Sequence, residues 1–76
     1  MGTKAYVLIE TVAGRNPEVV NALRHLPQLS RVDVVTGPYD IIGVIEANSL
    51  AEIGAVVTSR MQLIPGVTRT VTCLVI

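Results

Sequence analysis

The chain has 76 residues, half of them apolar and 16% charged, with six basic residues balancing six acidic ones. That length holds one domain, read as 1–76, and a chain so short buries only about 60% of the surface it exposes when unfolded. Charge balance excludes an electrostatic footprint for a phosphate backbone, and a single cysteine (Cys73) and a single histidine (His25) exclude a disulfide framework.

The apolar runs are broken by Glu10, Asp33, Glu46 and Glu52, far below the roughly 20 residues of a membrane span. The start, Met1-Gly2-Thr3-Lys4, lacks the layout of an export signal, so a cytoplasmic location is expected. Small folds are completed by disulfides, metals or association. Association remains, and the excess of Val, Ile and Leu reads as surface for a second copy of the chain, a dimer at least.

In chain order, a first strand is expected over about 4–12, ending at Ala13-Gly14-Arg15. Asn16 offers an N-cap oxygen, Pro17 fits the first helical position and Glu18 suits the helix dipole. Val19, Val20, Leu23 and Leu26 recur at helical spacing until Pro27 stops the run. The second strand, about 29–36, alternates Leu29, Arg31, Asp33 and Val35 with Ser30, Val32, Val34 and Thr36. Gly37-Pro38-Tyr39-Asp40 turns it into a third strand over about 40–47, an antiparallel hairpin.

Ser49-Leu50-Ala51-Glu52 forms a capping box. The helix it opens runs to about residue 62 and buries Leu50, Ile53, Val57 and Met61. Gly54 weakens it by roughly 1 kcal/mol against Ala, marking either a close approach to the sheet or a tolerated surface glycine. Ile64-Pro65-Gly66 ends the helix, and 67–76 alternates as the last strand. Val67, Arg69, Val71, Cys73 and Val75 share one face; Thr68, Thr70, Thr72, Leu74 and Ile76 share the other. The order predicts an α+β ferredoxin-like βαββαβ sandwich, a four-stranded antiparallel sheet with both helices on one face. The other face has no cover within the chain.

Catalytic machinery is scarce. His25, near a helix end beside Arg24, reads as a partner for helix carbonyls. Cys73 among Val71, Leu74 and Val75 reads as a buried or interface thiol. No metal-ligand pattern and no Gly-rich phosphate loop occurs, so no cofactor is expected. The turn Gly37-Pro38-Tyr39-Asp40 presents a carboxylate and a phenol, and Asp40 either meets a ligand's ammonium or bonds its own turn backbone. Thr68, Thr70 and Thr72 either bind a carboxylate or simply suit a strand. Arg69 interrupts a valine row, poised to pair with Glu46 or Asp33 across an interface or to snorkel.

Val34-Val35-Thr36-Gly37-Pro38-Tyr39-Asp40-Ile41-Ile42, followed by Leu63-Ile64-Pro65-Gly66-Val67-Thr68-Arg69-Thr70-Val71-Thr72, resembles the RAM domain, the effector-binding half of the Lrp/AsnC (feast/famine) transcription regulators. The resemblance covers essentially the whole chain. It implies a non-enzymatic module that binds a small effector, an amino acid, between dimers of an octamer-like ring. It implies a site at Gly37, Tyr39 and Asp40, with Thr70 and Thr72 on the strand facing it. The family's usual amino-terminal helix-turn-helix has no counterpart before the strand at Lys4, so the chain reads as a stand-alone form without direct nucleic-acid binding, with a full-length DNA-binding relative as a candidate partner, or as a domain cut out of a longer chain. Two rival readings are a purely structural assembly partner and a small enzyme of the dimeric α/β-barrel kind, the latter weakened by the lack of an acid–base pair and of Trp or Phe.

Overall fold

Strict alternation seals every second residue of the first strand: Ala5, Val7 and Ile9 are fully buried, while between them Tyr6 is exposed and Leu8 half-buried. The computed structural model describes residues 2–76. The elements run β1 (Thr3–Thr11), α1 (Asn16–Arg24), β2 (Leu29–Val34), β3 (Ile41–Ala47), α2 (Leu50–Val56) and β4 (Val67–Leu74). All neighbours in the sheet, order β2-β3-β1-β4, are antiparallel. This is the expected ferredoxin-like βαββαβ arrangement. Val19, Val20 and Leu23 of α1 and Ile53 and Val56 of α2 share one core with Ala5, Val7, Ile9, Ile41 and Ile45, so both helices lie on the same side of the sheet.

Register fixes which residues point away from the helices. Tyr6 lies opposite Val44 and Cys73, and Leu8 opposite Ile42 and Val71, so these share the uncovered face. Simple alternation places Leu29 on the same side as Arg31 and Asp33. Instead a pairing irregularity follows Leu29, which sits opposite Ile45 on the core side, while Arg31 and Asp33 face outward opposite Val44 and Ile42. One extra residue in a strand reverses the facing of everything beyond it. Gly43 makes room for this Leu29: a Cβ there would come within 3.1 Å of Leu29 Cδ2.

The helix ends differ from expectation in detail. Asn16 does not cap α1; its Oδ1 accepts the Thr11 hydroxyl. Ser49 does cap α2, accepting the Glu52 N–H at 3.2 Å, without a return bond from the Ser49 N–H to the Glu52 carboxylate among the described residues. Leu50 is exposed rather than buried, as are Ala51 and Glu52 after it, so the buried face of α2 begins at Ile53. His25 Nδ1 lies 2.7 Å from the Asn21 carbonyl oxygen, the helix-end role expected of it.

α2 does not remain α-helical to residue 62. Val57–Met61 form a wide π-helical turn, closed by the Gln62 N–H donating to the Val57 carbonyl at 2.9 Å. Val57 at its start and Met61 at its end are both buried in the core. No helix of the described residues is long and apolar enough to cross a membrane.

Two glycines predict opposite substitution effects. Gly54 has nothing within 4 Å of an added Cβ, so it is a tolerated surface glycine. Gly66 has φ of +102°, and a Cβ there would stand 3.0 Å from both Arg15 Cβ and Val19 Cγ2. Gly54→Ala should therefore stabilise the fold by about 0.4–1 kcal/mol. Gly66→Ala should cost roughly 1–3 kcal/mol. Thermal denaturation at matched protein concentration checks both signs.

Candidate functional site

The β2–β3 connection is tied to the far end of β1 rather than left as a free loop. Gly37, with φ of +142°, turns the chain where an L side chain is disfavoured. The Val35 N–H then donates to the Asp40 carbonyl at 2.9 Å, and the Asp40 N–H donates to the Ile9 carbonyl at 3.0 Å. The Asp40 carboxylate takes a further bond: its Oδ2 accepts the Thr11 N–H at 2.9 Å. Asp40 thus continues the β1–β3 ladder by side chain as well as backbone, and no hydrogen bond to its Oδ1 occurs among the described residues.

Beside this anchor the chain collects polar groups. Tyr39 is half-buried, and the Arg69 guanidinium stands 5.9 Å from its ring centroid, within cation–π range. Within its own chain Arg69 therefore meets an aromatic ring. A bulge where β1 passes from Glu10 to Thr11 leaves Thr68 as the unmatched residue of β4. The Thr68 hydroxyl reaches the Glu10 carbonyl and its carboxylate Oε1, each at 3.1 Å, which takes Thr68 out of the threonine row.

Thr70 and Thr72 remain together. They lie opposite Ile9 and Val7, hence on the side of the sheet that carries the helices. Thr70 Oγ1 accepts a hydrogen bond from Gln62 Nε2 at 3.1 Å. The structure so places the five sequence-predicted residues in two groups, Gly37, Tyr39 and Asp40 in one loop and Thr70 and Thr72 on β4. Strand β1 runs between β3 and β4, and at strand spacings near 4.8 Å the two groups are roughly 10 Å apart.

Three contacts of this region were not read from the sequence: Thr11 as the partner of Asp40, Tyr39 under Arg69, and Gln62 on Thr70. Arg69 had a signal, the lone charge in a valine row. Gln62 had none, because its position depends on the π-helical turn. Among the described residues no group of three or more His, Cys, Asp or Glu is arranged to hold a metal ion.

The outward sheet face forms a shallow concavity of about 530 Å³, floored by Tyr6, Ile42 and Val44 with Lys4, Glu46, Arg31 and Asp33 around it. Tyr6 is 41% exposed there, an aromatic ring unburied at the centre of a sheet. Cys73, opposite Tyr6, is exposed on the same face in the single chain.

Comparison with known proteins bears on both regions. A family model described as the Lrp/AsnC ligand binding domain matches residues 4–76. An uncharacterised HTH-type transcriptional regulator of Pyrococcus furiosus is 33% identical over 75 residues, covering 95% of this chain but 50% of its own length. The chain therefore spans half of that relative. A crystal structure of a protein from Thermus thermophilus is 35% identical with a TM-score of 0.93, covering 97% of this chain and 92% of that one. A transcriptional regulator of Neisseria meningitidis, solved as a complex with L-Met, shares the fold with a TM-score of 0.86 at 13% identity, covering 97% of this chain and 49% of its own.

The anchoring role of Asp40 has a measurable consequence. Asp40→Ala leaves the Thr11 N–H without its acceptor and should lower stability by about 1–2 kcal/mol, a fall in melting temperature of several degrees. Asp40→Asn retains a side-chain oxygen at that place and should lose less than half as much. Equal losses for the two substitutions, read by thermal denaturation, would show that the anchor rests on charge alone.

Proposed function

The chain belongs to the Lrp/AsnC ligand-binding-domain family, and from that membership we propose that it binds an amino acid as effector and self-associates so that neighbouring copies complete the binding site. The observation that carries the reading is the Asp40 carboxylate. One of its oxygens is pinned by the Thr11 N–H, which holds the other at the hairpin mouth beside Tyr39. A carboxylate fixed in this way suits an ammonium group without paying to be ordered on binding. Gly37, lacking a side chain, lets a ligand approach the turn backbone, and the Thr70 and Thr72 hydroxyls suit the opposite charge of a carboxylate.

Within one chain strand β1 separates the Asp40 hairpin from Thr70 and Thr72, and the two threonines face the helix side of the sheet, so a single copy does not bring the two halves together. A composite site follows, with Gly37, Tyr39 and Asp40 from one copy and Thr70 and Thr72 from another. The L-Met complex of the Neisseria regulator supports the ligand class. The exposed Tyr6 and the half-buried Leu8, Ile42 and Val71 on the outward face support association, because a second copy would remove that apolar surface from water. An octamer-like ring of dimers is the assembly this reading favours, and regulation of transcription is the process it serves.

Light scattering at micromolar concentration should give at least twice the mass of one chain, and a clean single-chain mass would sink the composite site. In a thermal-shift screen of the twenty L-amino acids, at least one should raise the melting temperature. At 100 times its dissociation constant a ligand contributes about 2.7 kcal/mol, on the order of 10 °C for a domain of this size. Asp40→Asn should abolish that shift while the assembly mass is kept. Silence from all twenty amino acids would leave a structural assembly partner in place of a sensor.

The composite arrangement has its own test. Asp40→Asn chains alone should give no shift and Thr70→Val chains a weakened one, but co-refolding equal amounts should restore roughly one wild-type site in four, because each site draws its two halves from different copies. No recovery in the mixed assembly would mean that both halves act within one chain or that only one of them acts.

A further inference from the structure

The π-helical turn at Val57–Met61 ends at Gln62, whose backbone N–H closes it on the Val57 carbonyl at 2.9 Å. Gln62 is exposed and contributes nothing to the core, yet its amide reaches Thr70 Oγ1 at 3.1 Å. π-helical turns interrupt α-helices at functional sites more often than elsewhere. Gln62 and Thr70 line the same hollow of about 220 Å³ at the outer edge of β4, together with Arg69. That is several times the roughly 30 Å³ that a water molecule occupies in the liquid, enough for a carboxylate and its hydration.

A threonine hydroxyl has one proton to donate and two lone pairs to accept with. When the Gln62 amide N–H donates to Thr70 Oγ1, it occupies a lone pair and repels the hydroxyl proton, which turns away from Gln62 toward the open side of the hollow. A hydroxyl held this way is a donor on the ligand side, the polarity that an anion needs and a neutral amine does not. We infer that Gln62, set by the π-helical turn, is a positioning residue that holds the Thr70 hydroxyl as a hydrogen-bond donor toward the carboxylate of the bound amino acid. The inference rests on the effector reading above, with Thr70 as a carboxylate contact.

Gln62→Met keeps the length and removes the amide. Because Gln62 is exposed, the ligand-free melting temperature should move by no more than roughly 4 °C. For each L-amino acid that shifts the wild-type protein, calorimetric titration of Gln62→Met should give a dissociation constant raised roughly three- to tenfold. Thr70→Val should weaken the same amino acid by at least as much, and the double variant no more than Thr70→Val alone, since Gln62 acts only through that hydroxyl. The corresponding amine, which lacks the carboxylate, should bind wild type and Gln62→Met equally. Unchanged amino-acid affinity in Gln62→Met, or losses that add in the double variant, would overturn the role of Gln62 while leaving the effector reading standing. No response of the wild-type protein to any amino acid would overturn both.

Discussion

A four-stranded sheet has two faces, and the two helices of this chain cover only one. The alternation of β1 makes that asymmetry costly: Ala5, Val7 and Ile9 are sealed beneath the helices, while Tyr6 and Leu8, one step along, point the other way. Apolar burial contributes on the order of 25 cal/mol per Å², so a chain this small forgoes much of its available stabilisation while one sheet face stays wet. Its uncovered sheet face, its apolar composition and its single cysteine are facets of one constraint, and the self-association proposed above answers it. Nothing within the chain can be moved to that face, because both crossovers already return their helices to the same side.

The same strand also organises the polar end of the molecule. Where β1 leaves the sheet, Asp40 takes the N–H at Thr11, and the bulge beside Glu10 turns the Thr68 hydroxyl onto Glu10. Hairpin mouth and β4 are thus both registered against β1, and their separation across it is set by strand spacing rather than by loop flexibility. That rigidity makes Asp40 a builder of the turn and a candidate ligand contact at once. The two roles use different oxygens, so they do not compete: Oδ2 serves the backbone, and the other oxygen has no partner among the described residues.

What the sequence made legible was whatever depends on period and punctuation. Val19, Val20 and Leu23 declared α1, the Ser49 cap declared the start of α2, and Pro65 with Gly66 declared the turn before β4. Period-two alternation declared the strands, and the order of elements left the ferredoxin-like sandwich as the packing. The failures share a cause. Leu29 was assigned the wrong face and Gln62 was passed over because a one-residue irregularity, a bulge or a π-helical turn, changes facing without changing composition. Asn16 had the chemistry of a cap, but the Thr11 hydroxyl claimed its oxygen first, a competition between two local bonds that no spacing rule ranks. The site was legible as two separate clusters of suitable residues. Their relation across β1 required the register.

The charges around the outward face explain how an apolar surface could recognise its own copy rather than any hydrophobic partner. The Arg31–Asp33 pair, at 2.7 Å, is well exposed on both sides, so it adds little to the stability of the single chain. Lys4 lies across from Glu46 in the register of β1 and β3, with its ammonium 5.5 Å from the Tyr6 ring centroid. Each edge of the concavity therefore carries one positive and one negative group around an apolar floor. Under a two-fold axis every positive group can find a negative one on the mate, because the patch contains both signs. A partner with a plain apolar surface would strip water from four charges without replacing their contacts, a cost of the kind that excludes wrong partners. In the self-association proposed above, affinity on such a face would come from Tyr6 and its aliphatic neighbours, and selectivity from the charges that must not be left unpaired.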